Sequence, residues 1–414
     1  MKKLSDKHYD IIGFPRLVRL NPNIPWKTRG NGALAFQIGK GTGKKIKIGE
    51  VDGKTLYAFH KKKNDVDPFE FSLIKSYVKQ TVEYFARVDD TNTNPGFVLL
   101  RKRPKQKWYL QAVRSIVSIK DVLSYLDSVD ALYEMYKNGR GLIGATAAIA
   151  WSSLRDKTYE LIAYREQGRW GTKRVVDEKS VKQMDKAYPT TFDNYDYVNR
   201  HNRLTPNSPC PILYGIRGDL PKELFSAFSM IHSEHVAGWI LFETNQGTDD
   251  HLQKKMIRDV EPYQSVVVKG TIHKAPYTIV GGHVFFSIKD TTGIVACAAY
   301  EPTKEFRSTI RELVVGDRIV VYGGVREKPL TINIEKINIQ HLKTLVKKVE
   351  NPVCPVCGKH MKSRGTNQGY KCRRCGTSSK NPKILMQQRS LHTGFYEVPV
   401  CARRHLSKPL KRMH

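Results

Sequence analysis

Four of the seven cysteines in this 414-residue chain fall within one short stretch, CPVCGKHMKSRGTNQGYKCRRC, running from Cys354 to Cys375. The spacing C-x2-C-x14-C-x2-C offers Cys354, Cys357, Cys372 and Cys375 as thiolate ligands to one tetrahedral zinc ion, at about 2.3 Å per bond. A glycine follows each pair (Gly358 and Gly376), leaving room for backbone amides to turn toward the sulfurs. Four thiolates fill the coordination sphere, so neither water nor His360 finds a vacancy. The ion is expected to hold a zinc ribbon together rather than to do chemistry. Its binding free energy, roughly 10–16 kcal/mol in such peptides, is large enough to fold a segment this small. Cys210, Cys297 and Cys401 stand alone, which argues for intracellular thiols rather than a disulfide framework.

Other residue clusters suggest binding chemistry. RLNPNIPWKTRGNGA (Arg19 to Ala33) packs Asn21, Asn23, Lys27, Thr28, Arg29 and Asn31 between proline and glycine punctuation. Connections this dense in donors tend to be functional, and Lys27 and Arg29 suit phosphate. DDTNTNPG (Asp89 to Gly96) adds carboxylates able to hold a metal–nucleotide, and TNQGTDDH (Thr244 to His251) is a third loop of this kind. GRGLIG, with Gly139, Gly141 and Gly144, matches G-x-G-x-x-G. A dinucleotide site requires a strand directly before the glycines. ALYEMYKN reads better as helix, so that site is rejected. Two readings remain for Asn138, Arg140 and the amides of Gly139–Gly141: a polar nook at a helix start, or a simple structural turn.

The elements that would carry these residues can be read from periodicity. FEFSLIKSYVKQTVEYFARV and KDVLSYLDSVDALYEMY have helical spacing, and short β-type runs alternate with them. After about residue 138 a small-residue helix is followed by the strand KTYELIAYR. ILYGIRG, KELFSAFSMI and GWILFETNQGTD then give strand, helix, strand, an order that fits a ferredoxin-like module; 167–210 is left unassigned. From about 262 to 345 five strands, with EFRSTIRELV between the third and fourth, have the order of an OB-fold barrel, with a small sandwich as the competing architecture. Tyr277, Phe285, Phe286 and Tyr300 are candidate stacking platforms there. The predicted class is thus multidomain α+β. Divisions fall at 1–125, 126–258 (ferredoxin-like), 259–347 (OB-fold), 348–380 (zinc ribbon) and 381–414, a basic C-terminal segment.

Lys and Arg number 70 against 39 Asp and Glu, a net charge of +31. Such an excess points to a polyanionic partner, which inside a cell means nucleic acid. RKRPKQK (101–107), KTLVKK (343–348) and ARRHLSKPLKR (402–412) are the expected phosphate-facing clusters. No apolar run approaches the roughly 18–20 residues of a membrane span, and MKKLSDKHYD lacks a signal-peptide core. The expectation is a cytoplasmic chain without a membrane partner.

Taken in order, LVRLNPNIPWKTRGNGA, TNTNPG, NGRGLIGATAAI, YGIRG, TNQGTD, the barrel strands, the ribbon and GFYEVP…ARRHLSKPL resemble the archaeal agmatidine synthetase family, over nearly the whole chain from about residue 10. The resemblance implies a kinase-like α/β domain at 1–125, incomplete at its N-terminus, ahead of the ferredoxin-like, OB and ribbon parts. The implied reaction is ATP-dependent formation of agmatidine (2-agmatinylcytidine) at the wobble cytidine of AUA-decoding isoleucine tRNA with a CAU anticodon. ATP with Mg²⁺ activates carbon 2 of the base through a phosphorylated intermediate, and the amine of agmatine displaces phosphate. Residue matching assigns Lys27, Arg29 and Asn31 to catalysis, and Asn21, Asn92 and Asn94 to nucleotide or phosphate binding. Asn138, Arg140 and Gly141 fall to the agmatine or cytidine pocket. The family's opening acidic loop, IGxDDTDSxxGMCTT, is not in these residues, and MKKLSDKHYDIIGFPRLVRL matches the family segment just after that loop. The expectation from that match is weak or absent catalysis by these 414 residues alone. The alternative reading is a non-catalytic OB-fold and zinc-ribbon nucleic-acid-binding protein, for which the polar loops before residue 260 would have no use.

Overall fold

The computed structural model describes residues 1–414 except positions 2, 3, 5–8, 28–30, 87, 92, 154 and 414. Its first half is organised by one seven-stranded sheet. The strand Gly238–Thr244 lies at the centre of it. On one side it runs antiparallel to Thr158–Tyr164, with Gly238 opposite Tyr164 and Thr244 opposite Thr158. On the other it pairs antiparallel with Gly32–Val51 and parallel with Asp10–Arg19. Lys54–Asn64 extends that side, and Ile212–Gly218 and Thr191–Phe192 extend the other. Thr158–Tyr164, TYELIAY, is buried at six of its seven positions, as expected of a strand covered on both faces. Sequence divides this half into an N-terminal and a ferredoxin-like part, but the sheet runs without a break across the division.

The segment left unassigned contains the helix Glu178–Ala187. Asp177 caps it, its carboxylate accepting from the amides of Lys179 and Ser180. Helix Pro221–Ser229 packs against the same buried cluster as Val181 and Met184, through Leu224 and Ala227.

One expected element is corrected. The helix read over KDVLSYLDSVDALYEMY ends at Ser128, and Leu132–Met135 is a strand paired antiparallel with Gly96–Leu99. Asp130 takes a left-handed conformation, φ +48°, which its short polar side chain tolerates. The amide of Ala131 then bonds back to the Leu126 carbonyl at 3.0 Å, closing the helix. A strand does therefore precede the Gly139 turn. It belongs to an antiparallel two-stranded ribbon, not to a parallel βαβ unit, so no dinucleotide fold results.

Residues 265–341 form the expected barrel. Ser265–Thr278 pairs with Val284–Lys289 and closes on Arg318–Arg326, and Ile294–Ala299 runs parallel to Thr331–His341. Helix Phe306–Arg311 plugs it with Phe306 and Ile310. Asp317, fully buried in the Gly-Asp turn before the fourth strand, accepts from the amides of Val314 and Lys343 and from both Nη atoms of Arg389 (2.6 and 2.9 Å). Burial works against ionising this carboxylate, but Arg389 and the two amides outweigh it and hold its pKa below the ordinary value. The folded state thus binds the proton less readily than the unfolded chain. Its contribution is complete above about pH 4 and is lost as pH falls further. Asp317→Asn is expected to cost roughly 3 kcal/mol and to flatten the acid limb of stability, read as urea midpoints between pH 7 and 3.

The C-terminal segment does not face outward as its charge suggests. Gly394–Glu397 adds a strand to the barrel beside Thr331–His341, and residues 400–413 then thread between the barrel and the shared sheet. Arg403 pairs with Asp193 and with Glu397. Lys408 Nζ meets Asp156 at 2.8 Å, and Arg412 bonds Asp156 at 2.9 Å and Asp219 at 2.7 Å. Backbone carbonyls of His405 and Leu406 accept from the amides of Gly247 and Asp249. The expected phosphate-facing role of Arg403, Lys408 and Arg412 is therefore corrected: their charge is neutralised inside the molecule. By contrast, Arg101, Lys102, Arg103, Lys105 and Lys107 are exposed.

The third polar loop is also structural. Thr244, Asn245 and Gln246 are buried. The Asn245 amide brackets the Arg19 backbone, accepting at 2.7 Å and donating at 2.8 Å, and it also donates to Tyr109 Oη. Tyr109 in turn donates to Asp250 at 2.7 Å. Burying Asn245, Tyr109 and Asp250 together is tolerated because they satisfy one another.

Candidate functional site

Two of the polar loops converge with the Gly139 turn at the N-terminus of helix Arg140–Ala150. The loop after strand Asp10–Arg19 has a closed neck: the Leu20 amide donates to the Asn31 carbonyl at 2.8 Å, and Asn31 Nδ2 donates to the Asn21 carbonyl at 2.9 Å. Asn21 is buried. Its Nδ2 donates to the Tyr263 carbonyl of the barrel, and its Oδ1 accepts from the Asn23 amide. Asn23 makes a second tie through Gln264 O and Ser265 Oγ. These asparagines fix the loop to the barrel, and its tip carries Trp26 and Lys27.

Lys27 is half-buried. Burial, with Arg404 close by, pulls its ammonium pKa below the ordinary lysine value. An anion placed between Lys27 and Arg404 would relieve that repulsion. Arg404 reaches Asn23 Oδ1 at 2.6 Å and Glu335 at 3.2 Å, so one residue of the C-terminal strap helps to build the site.

Arg140 begins the helix with its guanidinium 4.8 Å from the centroid of the Trp26 ring, a cation–π contact joining the turn to the loop tip. Asn138 Oδ1 accepts from the Arg140 amide at 3.2 Å. Gly139 enters the turn at φ +75°. Gly141 lies against the Asp89–Gly96 loop so closely that a Cβ would come within 2.5 Å of Gly96 N and 2.6 Å of Pro95 O. Asn94 stands just before that contact. The structure therefore gathers Lys27, Asn94, Asn138, Arg140 and Gly141 around one helix end, with Asn21 and Asn31 as its supports. Arg29 and Asn92 lie outside the described residues. The positive end of an eleven-residue helix, with Arg140 and Lys27, favours an anion. Trp26 and Arg404 were not singled out from sequence. A tryptophan within a donor-rich loop was the available signal for the first, and nothing local marks the second.

The ribbon shows two matched knuckles. The Gly358 and Gly376 amides donate to the Cys354 and Cys372 carbonyls at 2.9 and 3.0 Å, each glycine in the left-handed region. The sulfurs of Cys354 and Cys375 lie 3.3 Å apart, those of Cys357 and Cys372 3.4 Å, and those of Cys357 and Cys375 3.8 Å. Four thiolates around zinc would stand about 3.8 Å apart, so the donor set fits the ion. Among the described residues these cysteines are the only group of three or more ligand-type side chains that converge. Asp89 and Asp90 are exposed and belong to no such group.

An OB barrel, a four-cysteine ribbon and an anion-favouring loop cluster on one strongly cationic scaffold define a multidomain protein that handles RNA. Family models match in the same order: the TiaS TCKD domain over 1–138, the TiaS FLD domain over 139–251, an OB-fold nucleic acid binding domain over 266–340 and the TiaS C-terminal zinc ribbon domain over 351–391. The chain is 44% identical over 410 residues to the isoleucine-tRNA 2-agmatinylcytidine synthetase TiaS of Methanocaldococcus jannaschii, covering 97% of this chain and 90% of that one. With the Archaeoglobus fulgidus protein of the same name it shares 41% over 420 residues, 100% and 92% of the two chains. The solved complex of TiaS with its isoleucine tRNA, AMPCPP and agmatine superposes with a TM-score of 0.82 at 38% identity, covering 100% and 92%. A zinc-ribbon-deleted TiaS mutant in complex with agmatine gives 0.71 at 32%, covering 100% and 93%. The chain belongs to the TiaS family of isoleucine-tRNA 2-agmatinylcytidine synthetases.

Proposed function

We propose that this chain joins agmatine to carbon 2 of the wobble cytidine of AUA-decoding isoleucine tRNA, at the expense of ATP. The carrying observation is kinship over 97–100% of this chain with synthetases of that name, one of them solved with tRNA, an ATP analogue and agmatine together. The loop cluster around the Arg140 helix end supplies the chemistry such a reaction needs. Cytosine O2 is a poor leaving group. Transfer of a phosphoryl group from ATP to that oxygen lets it depart as phosphate when the agmatine amine attacks carbon 2 and sheds a proton. Lys27 and Arg140, with the helix N-terminus, hold phosphate oxygens as negative charge shifts during transfer. Asn21 and Asn31 brace the loop that presents Lys27, while Asn94, Asn138 and Gly141 wall the base. Agmatine is itself a cation, so it lies on the side away from Arg140. Mg²⁺ arrives with ATP. The reaction takes place in the cytoplasm, and no helix among the described residues is long and apolar enough to cross a membrane.

The zinc ribbon and barrel grip the tRNA, and agmatine binding does not need the ribbon, as the ribbon-deleted relative with bound agmatine supports. A pure nucleic-acid binder is not favoured, because it has no use for the polar cluster. The direct test is ATP-dependent incorporation of labelled agmatine into the CAU-anticodon transcript, with a UAU-anticodon transcript as control. Equal incorporation into both transcripts overturns the reading, and so does incorporation that needs no ATP. Lys27→Ala is expected to lower the incorporation rate about 10²- to 10³-fold while tRNA binding holds within severalfold. A normal rate would remove Lys27 from phosphate handling.

A further inference from the structure

Four parts of the chain meet at a buried carboxylate that the reaction above does not use. Glu335 lies on the barrel strand Thr331–His341. Its Oε1 stands 3.2 Å from Arg404 Nη1 of the strap, and its Oε2 lies 3.6 Å from Nε2 of His251, a fully buried residue of the third polar loop. Lys336, the next residue, already pairs with Asp249 at 2.7 Å. The fourth part is the loop that carries Lys27: Arg404 Nη1 donates to Asn23 Oδ1 at 2.6 Å.

The space around that nitrogen is shaped to fit. Gly324, on strand Arg318–Arg326, lies so close that a Cβ there would come within 2.3 Å of Asn23 Oδ1 and 2.7 Å of Arg404 Nη1. Both contacts of Arg404 use Nη1. Among the described residues its Nη2 and Nε have no protein partner, and the side chain lines a cavity of about 410 Å³ between the loop and the barrel. The other strap arginines behave differently. Arg403 gives one Nη to Asp193 and the other to Glu397, and Arg412 engages Nε, Nη1 and Nη2. An arginine that only fastened the strap would close its donors in the same way. Lys27 stands near enough to Arg404 for the two charges to repel, which adds to burial in lowering the lysine pKa.

We infer that Arg404 is a third cation on the phosphates of ATP, beside Lys27 and Arg140, and that Glu335 is the positioning residue that holds it there, an inference that rests on the function proposed above. A guanidinium can offer two donors at once to one phosphate, and Arg404 keeps two open. A phosphate set between Arg404 and Lys27 also removes their repulsion. ATP rather than RNA is the occupant, because Arg404 shares its anion with Lys27, whose place is at the phosphoryl transfer. Glu335 fixes the guanidinium through Nη1 and leaves the remaining donors uncovered.

The test is a double-mutant cycle on the full chain, read as affinity for a non-hydrolysable ATP analogue. Arg404→Met is expected to weaken binding about tenfold in the parent, but less than about twofold where Glu335 is already Gln, since the guanidinium has then lost its place. Gly324→Ala, which displaces the guanidinium without altering a charge, should shrink the effect of Arg404→Met likewise, and it supplies the second background if Glu335→Gln unfolds. Urea midpoints show which variants are folded. Should Arg404→Met unfold, Arg404→Lys replaces it, keeping a charge opposite Glu335 without the fork, and is expected to lose about threefold or more. Unchanged affinity on substituting Arg404 overturns its phosphate role. An equal loss in both Glu335 backgrounds overturns the positioning role, because a carboxylate that merely supports the fold gives additive effects. A loss seen only in binding of the CAU-anticodon transcript places Arg404 on RNA and overturns the inference, as does a parent chain that takes up no analogue. Agmatine incorporation by the parent, measured alongside, separates the two levels. If the coupling is present while CAU and UAU transcripts are modified equally, the function falls and the pair stands; if CAU alone is modified and the coupling is missing, only the pair falls.

Discussion

Stripping zinc from the folded protein is expected to unfold residues 351–381 and leave the barrel and the shared sheet intact. The ribbon has almost no core of its own. Buried Cys354, Met361 and Cys372, with Cys357 and Tyr370 against them, are its entire apolar cluster among the described residues. Its internal strands, Lys362–Ser363, Tyr370–Lys371 and Ser378–Ser379, are two residues each. Strands so short are not stable without a further constraint, and the roughly 10–16 kcal/mol of zinc binding supplies it. The barrel owes nothing to the ion, since its own strands close around a large buried cluster. Hydrogen exchange in a chelator should show loss of protection confined to 351–381, and Cys372→Ser should reproduce it without chelator. Ribbon amides that stay protected without metal would show that packing, not zinc, holds the segment. Affinity for tRNA should fall with the ribbon, whereas agmatine binding should survive.

The second large effect lies at the C-terminal strap. Arg403→Ala is expected to cost about 3–5 kcal/mol, because it leaves Glu397 without its ion-pair partner and Asp193 with only the more distant Arg217 in a nearly closed interface. Arg403→Met should recover part of that loss by refilling the space. Such a pattern separates the role of the charge from that of the volume. The readout is the urea midpoint of the transition in which the strap leaves the sheet, followed by cleavage at residues 400–413. Alanine and methionine variants as stable as the parent would mean that the strap is held by its backbone bonds to Gly247 and Asp249 and by Lys408 and Arg412, without help from Arg403. Loosening the strap also frees Arg404 from Asn23 and Glu335, so Arg403→Ala should slow agmatine incorporation although Arg403 touches no substrate.

The site was only partly visible in the chain. Lys27, Asn138, Arg140 and Gly141 could be picked out because donors between prolines and glycines stand out locally, and the structure gathers them. What Asn21 and Asn31 do was not visible. An asparagine that binds phosphate and one that clamps a backbone carbonyl have the same side chain, and only the position of Tyr263, more than two hundred residues away, tells them apart. Trp26 became significant only once the Arg140 guanidinium was found over its ring.

The zinc clip and the order of the barrel strands were determined by the sequence alone, because each depends on spacing within a few tens of residues: two ligands per knuckle, two residues per pleat. The break at Asp130 was a local event too, but a left-handed aspartate leaves no periodic trace, and LYEM continues a helical pattern as readily as it starts a strand. Tertiary structure alone decided that one sheet would join the two N-terminal parts, and that the cations of ARRHLSKPLKR would meet Asp156, Asp193 and Asp219 rather than phosphate. The physical reason is the same in each case. A charge or a strand edge carries no mark of its partner, and which partner it finds depends on which distant surfaces the completed fold brings within reach.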